Sequence, residues 1–479
     1  MLPDVFMSIK RPPVADTHRM TKVFNMARQR AETGDTGVRS HDREILRLAF
    51  PAFLALVAEP MYLLADAAII GHLGTPELAG LGIAAVIIQT AVGLCIFLAY
   101  GTTASVARQI GAGDLRGALA QGIDGVWLAI FLGAITTAAG LALTGPMVGV
   151  FNPGSEVAGH ATTYLRWAFL GVIPLLVMLA ATGILRGLQD TKTPLYVAVG
   201  GNLLNIALNF ALVYGLDLGI AGAAIGTDLA QLGSAAALIY VVVRAARREG
   251  APLTPDLPGV RRAAHAGVAL VIRTLTLRAS LLAMTYGAAT LGATSVATNQ
   301  LAITLWTFLA FALDAIAIAA QALTGRFLGA GDVTGTRAVT RRMIWWGVVS
   351  GIVTGTALAL SAPFLGALFT NDAAVRDLLW PVLLVAALFQ PLAGVVFVLD
   401  GVLIGAGDGR YLAWSGLVVL AVFAPLAWLA LRFGPSGPGL VWLWVAFGIG
   451  FMGSRAVVLL HRARDDKWMV TGATTGAPA

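Results

Sequence analysis

The sequence predicts an all-α integral membrane protein of twelve transmembrane helices in two pseudo-symmetric six-helix lobes. Composition is the first ground: of 479 residues, 58% are hydrophobic and only 12% charged, and the mean hydropathy is +0.81. A soluble core of that length needs far more charge on its surface, whereas lipid-facing helices are apolar all round. The second ground is the number of bilayer-length apolar runs, and the third is an internal repeat.

The runs fall near 45–70, 78–101, 119–143, 163–186, 193–214, 219–243, 267–290, 296–323, 343–361, 378–404, 411–431 and 438–460. Pro51, Pro60, Pro174, Pro391 and Pro425 lie inside them, so bent helices are expected, because neighbouring helices satisfy the carbonyls a proline frees. Many of the 56 glycines let helices approach closely, and they show no three-residue period.

Placing the N-terminus in the cytoplasm puts 29 of the 32 lysines and arginines on the inner side and leaves Arg166, Arg376 and Arg432 outside. The expectation is a bacterial-type inner membrane protein with both termini cytoplasmic. The net charge of +7 is thereby topological, and no nucleic-acid surface is implied. Residues 1–44 are polar and basic with no apolar core, which excludes a cleavable signal peptide and predicts a disordered tail; 462–479 read likewise.

The repeat has one gapless offset of 218 residues. Leu73-Gly74 recurs as Leu291-Gly292, Arg108 with Gly111–Asp114 as Arg326 with Gly329–Asp332, and Gly183, Leu185, Gly187 and Asp190 as Gly401, Leu403, Gly405 and Asp408. Six spans per half give both halves the same polarity, as in parallel-repeat transporters. The divisions are then an N-lobe at 45–245, a basic linker at 246–266 and a C-lobe at 267–461.

Few acidic residues lie inside the runs: Glu59, Asp66, Asp228, Asp314 and Asp400. A carboxylate in hydrocarbon costs at least ~2.5 kcal/mol, so each is a candidate to face a cavity and bind something. Glu59 and Asp66 are two helical turns apart, about 10 Å along one face, with Tyr62 between them. Asn202, Asn205 and Asn209 form a polar stripe; each alone could equally be an interhelical hydrogen bond. Asp114, Asp332, Asp190 and Asp408, beside glycines in short inner loops, read as helix caps, and Asp400 as a partner for a basic loop residue or a transport group. Arg273 and Arg278 enter one run together and read as snorkelling to the inner interface.

Catalytic chemistry finds no support. Cys95 stands alone, His18, His41, His72, His160, His265 and His461 form no ligand pair, and Gly111–Asp114 lacks the lysine of a phosphate loop.

Four segments in order, Glu59-Pro60-Met61-Tyr62-Leu63-Leu64-Ala65-Asp66 to Gly74, Arg108 to Asp114, Gly183-Ile184-Leu185-Arg186-Gly187, and Asp400 to Asp408, carry a resemblance. The chain resembles the multidrug and toxic compound extrusion (MATE) family, and within it the DNA-damage-inducible F-like branch, over roughly residues 44–460. The resemblance implies a MATE/MOP-type fold of two lobes around a cavity that opens alternately to each side. It also implies export of amphipathic, often cationic small molecules in exchange for H+ or Na+, with no other cofactor, by a lipid-embedded monomer. The matching coupling positions are Tyr62, Asp66, Asn205, Asn209 and Thr227, with Glu59, Asn202, Asp228, Asp314 and Asp400 as cavity candidates. Many relatives carry an aspartate where this chain has Asn209, which leaves one matched carboxylate and makes Glu59 and Asp228 the candidates for a second charge. A lipid-linked precursor flippase on a related scaffold is the alternative, and it requires a strongly basic cavity around Arg273 and Arg278.

Overall fold

The structure is a computed structural model that describes residues 38–433 and 439–473. Among these residues there is helix and no strand. The spanning elements are α1 (Val38–Gly71), α2 (Thr75–Gly111), α3 (Leu115–Gly149), α4 (Ser155–Ala168 and Val172–Gly187), α5 (Lys192–Gly215), α6 (Gly219–Arg248), α7 (Leu257–Thr290), α8 (Ala293–Gly329), α9 (Val333–Phe369), α10 (Ala373–Leu388 and Gln390–Gly405), α11 (Gly409–Arg432) and α12 (Gly439–Arg464). Ten cross without a sharp bend, α2 in two segments, Thr75–Leu94 and Phe97–Gly111, and α4 and α10 are each bent, by 51° and 50°. Counting each bent pair as one crossing gives twelve among the described residues.

The bends show which prolines matter. Pro174 and Pro391 stand in the first turn of the segment after each break, where a proline costs no helical hydrogen bond. Pro51 and Pro60 stay inside α1, and Pro425 inside α11, with no break of that size.

The helices outrun the apolar runs, because polar ends continue the hydrogen-bond ladder beyond the hydrocarbon. Hence α6 reaches Arg248 and α7 begins at Leu257, leaving 249–256 between the halves. Asp256 caps α7 at Gly259, its own amide donates to Asp124 of α3 at 2.9 Å, and Trp127 donates to Leu253 O.

The repeat is visible in packing. In the first half α1 packs on α5, and α2 and α3 on α4; in the second α7 packs on α11, and α8 and α9 on α10. The halves meet through matched pairs, α1 on α8 and α7 on the second segment of α2, Phe97–Gly111. Where α2 and α8 cross, a Cβ on Gly111 would meet the Arg326 carbonyl, and one on Gly329 would meet the Arg108 carbonyl. Only glycine permits that reciprocal approach.

Three loops on one face turn through glycines in the left-handed region, Gly113 (φ +80°), Gly331 (+76°) and Gly407 (+76°); the matching fourth uses Gln189 (+64°) at the repeat position of Gly407. A side chain there is strained by about 1–3 kcal/mol. The Gln189 side chain accepts a hydrogen bond from Arg326 across the lobe seam at 2.9 Å.

The tails differ from the sequence reading. Residues 1–37 and 474–479 of the expected disordered segments lie outside the described residues. From Val38 the chain is already helix, with Asp42 bound by Arg342 and Trp346 and Glu44 by Arg326, all on the other lobe. Acidic side chains in an otherwise basic segment find guanidinium partners there, which offsets the cost of ordering it. At the other end, Trp468 and Met469 are buried, Asp466 pairs with Arg337, and Gly472 donates to Leu328 O while accepting from Arg108.

Candidate functional site

The polar stripe of α5 meets the acidic face of α1 inside the first lobe. Asp66 is 3% exposed, and its Oδ1 accepts from Asn209 Nδ2 at 2.6 Å. Its Oδ2 accepts from Thr227 Oγ1 of α6 at 3.4 Å. The same hydroxyl accepts from Asn205 Nδ2 (3.1 Å) and from Tyr62 Oη (3.3 Å), so its one donor and two acceptor directions are all in use. Asn209 Nδ2 also donates to Asn205 Oδ1 at 3.2 Å, which leaves Asn209 Oδ1 buried without a donor. That oxygen rests against Gly226, where a Cβ would strike it.

Local structure places these groups. Tyr62 and Asp66 are one turn apart on α1, as Asn205 and Asn209 are on α5, so each pair shares a face. Immediately after Asn209 the helix widens to π geometry over Phe210–Gly215, and Tyr214 Oη ties that turn to Ile69 O of α1 at 2.6 Å. Such π turns recur at functional sites.

The site holds one carboxylate, two amides and two hydroxyls, with no basic side chain bonded to the carboxylate among the described residues. Burying a lone carboxylate is costly unless it is neutralised. Gathered neutral oxygens around one acid suit a monovalent cation, a proton or a hard alkali ion. The second lobe has no counterpart: at the 218-residue offset, Asp66, Asn205 and Asn209 become Met284, Phe423 and Ala427, all buried in the apolar core.

The remaining candidates scatter. Asn202 Nδ2 donates to Ala58 O at 2.8 Å, so that amide joins α5 to α1. Glu59 is exposed, and Asp228 is half-buried beside the α4 break. Asp314 on α8 is half-buried, within electrostatic reach of Arg186, Arg273 and Arg455. Asp400 is bound by Arg273 and, at 3.3 Å, by Arg455, within the second lobe. Arg273 therefore does not snorkel; it lies midway along α7, where a carboxylate 127 residues away holds it in the bundle. Arg278 reaches across the seam to Gln89 O of α2 at 3.5 Å.

The loop aspartates mostly cap. Asp114 and Asp332 accept from Gly117 and Gly335 amides at 2.7 Å, and Asp190 from Lys192 and Thr193 at 3.0 Å. Asp408 accepts from Arg462. The reciprocal bonds of Arg108 and Arg326 across the lobes were not assigned from the sequence, although the repeat already displayed both arginines.

Two like lobes, broken helices at matched positions and a carboxylate hidden in one lobe define a multi-pass membrane transporter rather than an enzyme. The MatE family profile matches residues 51–211 and again 269–429, each half at the offset seen in the sequence. The chain belongs to the MATE family. It is 31% identical over 397 residues to Protein DETOXIFICATION 44, chloroplastic, of Arabidopsis thaliana, covering 80% of this chain and 75% of that protein. DNA damage-inducible protein F of Escherichia coli (strain K12) is 28% identical over 378 residues, covering 77% and 81%. Among solved structures, an outward-facing multidrug resistance MATE transporter superposes with a TM-score of 0.80 at 23% identity, covering 88% of this chain and 96% of that one. A MATE transporter in the bent conformation gives 0.82 at 22% identity, covering 93% and 97%. Membership makes the protein a multi-pass efflux transporter.

Proposed function

We propose that the protein exports amphipathic, often cationic small molecules by antiport with H+ or Na+, and that Asp66 carries the exchanged cation. The observation that supports this is the carboxylate itself: 3% exposed, held by Asn209 and Thr227, and bonded to no basic group among the described residues. Cation binding neutralises Asp66 and removes its preference for a solvated setting, so the α1–α5–α6 contact repacks and the substrate leaves. Only a difference in affinity between the two states can drive the change. The basic face, closed here around Arg108 and Arg326, is assigned to the cytoplasm together with both termini, in a bacterial-type inner membrane. The protein works as a monomer among lipids, with the coupling ion as its only cofactor.

The flippase alternative requires a free basic cavity, and Arg273 is engaged by Asp400. The deciding experiment uses proteoliposomes loaded with a fluorescent organic cation. A pH step and a sodium step are imposed separately, and the step that drives efflux names the ion. Asp66→Asn should abolish that efflux while leaving the melting curve intact; undiminished ion-driven efflux in this variant would falsify the assignment.

A further inference from the structure

We propose that Asp228 is a second cation-binding carboxylate of the first lobe, seated at the break of α4 and next along α6 to Thr227, the partner of Asp66. The inference rests on the antiport reading and deepens it.

Asp228 follows Thr227 on α6, and Thr227 donates to Asp66. It is half-buried in a spanning helix, yet among the described residues it accepts no hydrogen bond and pairs with no cation. Elsewhere in the bundle Asp400 holds two arginines, Asp314 lies near three, and Asp124 accepts the Asp256 amide. An intramembrane carboxylate left without such a partner costs about 2.5–3.5 kcal/mol on insertion scales, which marks it as a group that binds something.

It lies near the Asp66 site without a hydrogen bond to it. Tyr164, buried on the first segment of α4, is within electrostatic reach of both Asp66 and Asp228. On the Asp66 side, Tyr62 donates to Thr227 from α1. The orphaned acceptor Asn209 Oδ1 rests against Gly226, two residues before Asp228. Among the described residues the titratable group within electrostatic reach of Asp228 is Tyr164 from α4; Gln231 on its own helix shares the space at Gly171, and no lysine or arginine pairs with it.

The position also has mechanical consequence. Asp228 Oδ1 occupies the space a Cβ on Gly171 would need, and Gly171 is the last residue before Val172–Gly187, beyond the 51° bend. The start of that segment is the positive end of a helix dipole, which favours the ionised carboxylate. Neutralising it weakens that attraction, so occupancy at Asp228 biases the angle of α4 while Asp66 biases α1.

The test counts charge. Proteoliposomes exporting a monovalent organic cation are clamped at graded potentials with potassium and valinomycin, and efflux is followed by fluorescence. Wild type exchanging two unit cations per substrate is electrogenic; Asp228→Asn exchanges one, loses its dependence on potential, and keeps its Kd for the organic cation within about twofold. Asp228→Glu restores the dependence. Gly171→Ala retains every titratable group but presses on the carboxylate, and should reduce the charge moved per substrate, which keeps the inference testable if Asp228→Asn misfolds. Wild-type charge stoichiometry in both Asp228→Asn and Gly171→Ala overturns this inference alone. Absence of any ion-driven efflux in wild type overturns the antiport reading and this inference with it.

Discussion

Arg108 and Arg326, 218 residues apart, each donate across the seam to the opposite lobe: Arg108 Nη2 to Ala406 O at 2.7 Å, and Arg326 Nη1 to Gln189 Oε1 at 2.9 Å. The acceptors sit in loops that match across the repeat, so the duplicated motif closes one face of the molecule twice. Glu44 at 2.6 Å from Arg326 and the Gly472 carbonyl at 3.1 Å from Arg108 add a tail contact to each. Separating the lobes on that face requires both sets to break.

Because α2 and α8 touch through Gly111 and Gly329, Gly111→Leu should hold the basic face open. Cysteines at 44 and 326 in a background without Cys95 would lose most of their crosslinking yield in that variant, and efflux should fall about tenfold or more. Full crosslinking in Gly111→Leu would show that the crossing tolerates a side chain.

Thr227→Val removes a hydroxyl that bonds Asp66, Asn205 and Tyr62 together. The buried Asn205 amide then lacks an acceptor, at roughly 1–3 kcal/mol, and the half-buried Tyr62 hydroxyl loses one as well. The melting temperature should drop and ion-driven efflux should be lost, while Thr227→Ser preserves both. Equal behaviour of the Val and Ser variants would remove the hydroxyl from the mechanism.

Arg273 and Asp400 are both about nine-tenths buried, at 11% and 10% side-chain exposure. Cutting one partner leaves a charge stranded, so Arg273→Leu should cost on the order of 3–5 kcal/mol, less whatever Arg455 recovers at 3.3 Å. The double change Arg273→Leu with Asp400→Leu should be milder than the single, as read by thermal unfolding in detergent.

Asp114→Ala and Asp332→Ala each delete a cap made at 2.7 Å and should each lower stability by about 1 kcal/mol. They lie on different lobes with separate partners, so the losses should add. Asp408→Ala acts differently, since it frees Arg462.

The membrane class, the duplication and its register were legible because lipid imposes composition and a repeat needs no third dimension. The stripe on α5 and the acid on α1 were legible too, since polar groups in apolar helices stand out. Which stripe member serves which purpose was not: Asn209 bonds Asp66 and Asn205 bonds Thr227 and Asn209 beside it, whereas Asn202, one turn earlier, bonds the Ala58 carbonyl. Sequence spacing gives the face of a helix but not what stands opposite it.

By itself, then, the sequence determined the two-lobed helical architecture and the residues able to carry charge within it. Only the tertiary structure decided that Arg273 belongs to Asp400, that the ends of the described chain pack against Arg108 and Arg326, and that Asp228 stands beside the α4 break. The physical reason is range: hydropathy and periodicity are properties of neighbouring residues, while pairing of buried charges is settled by whichever helices the fold brings within about 4 Å.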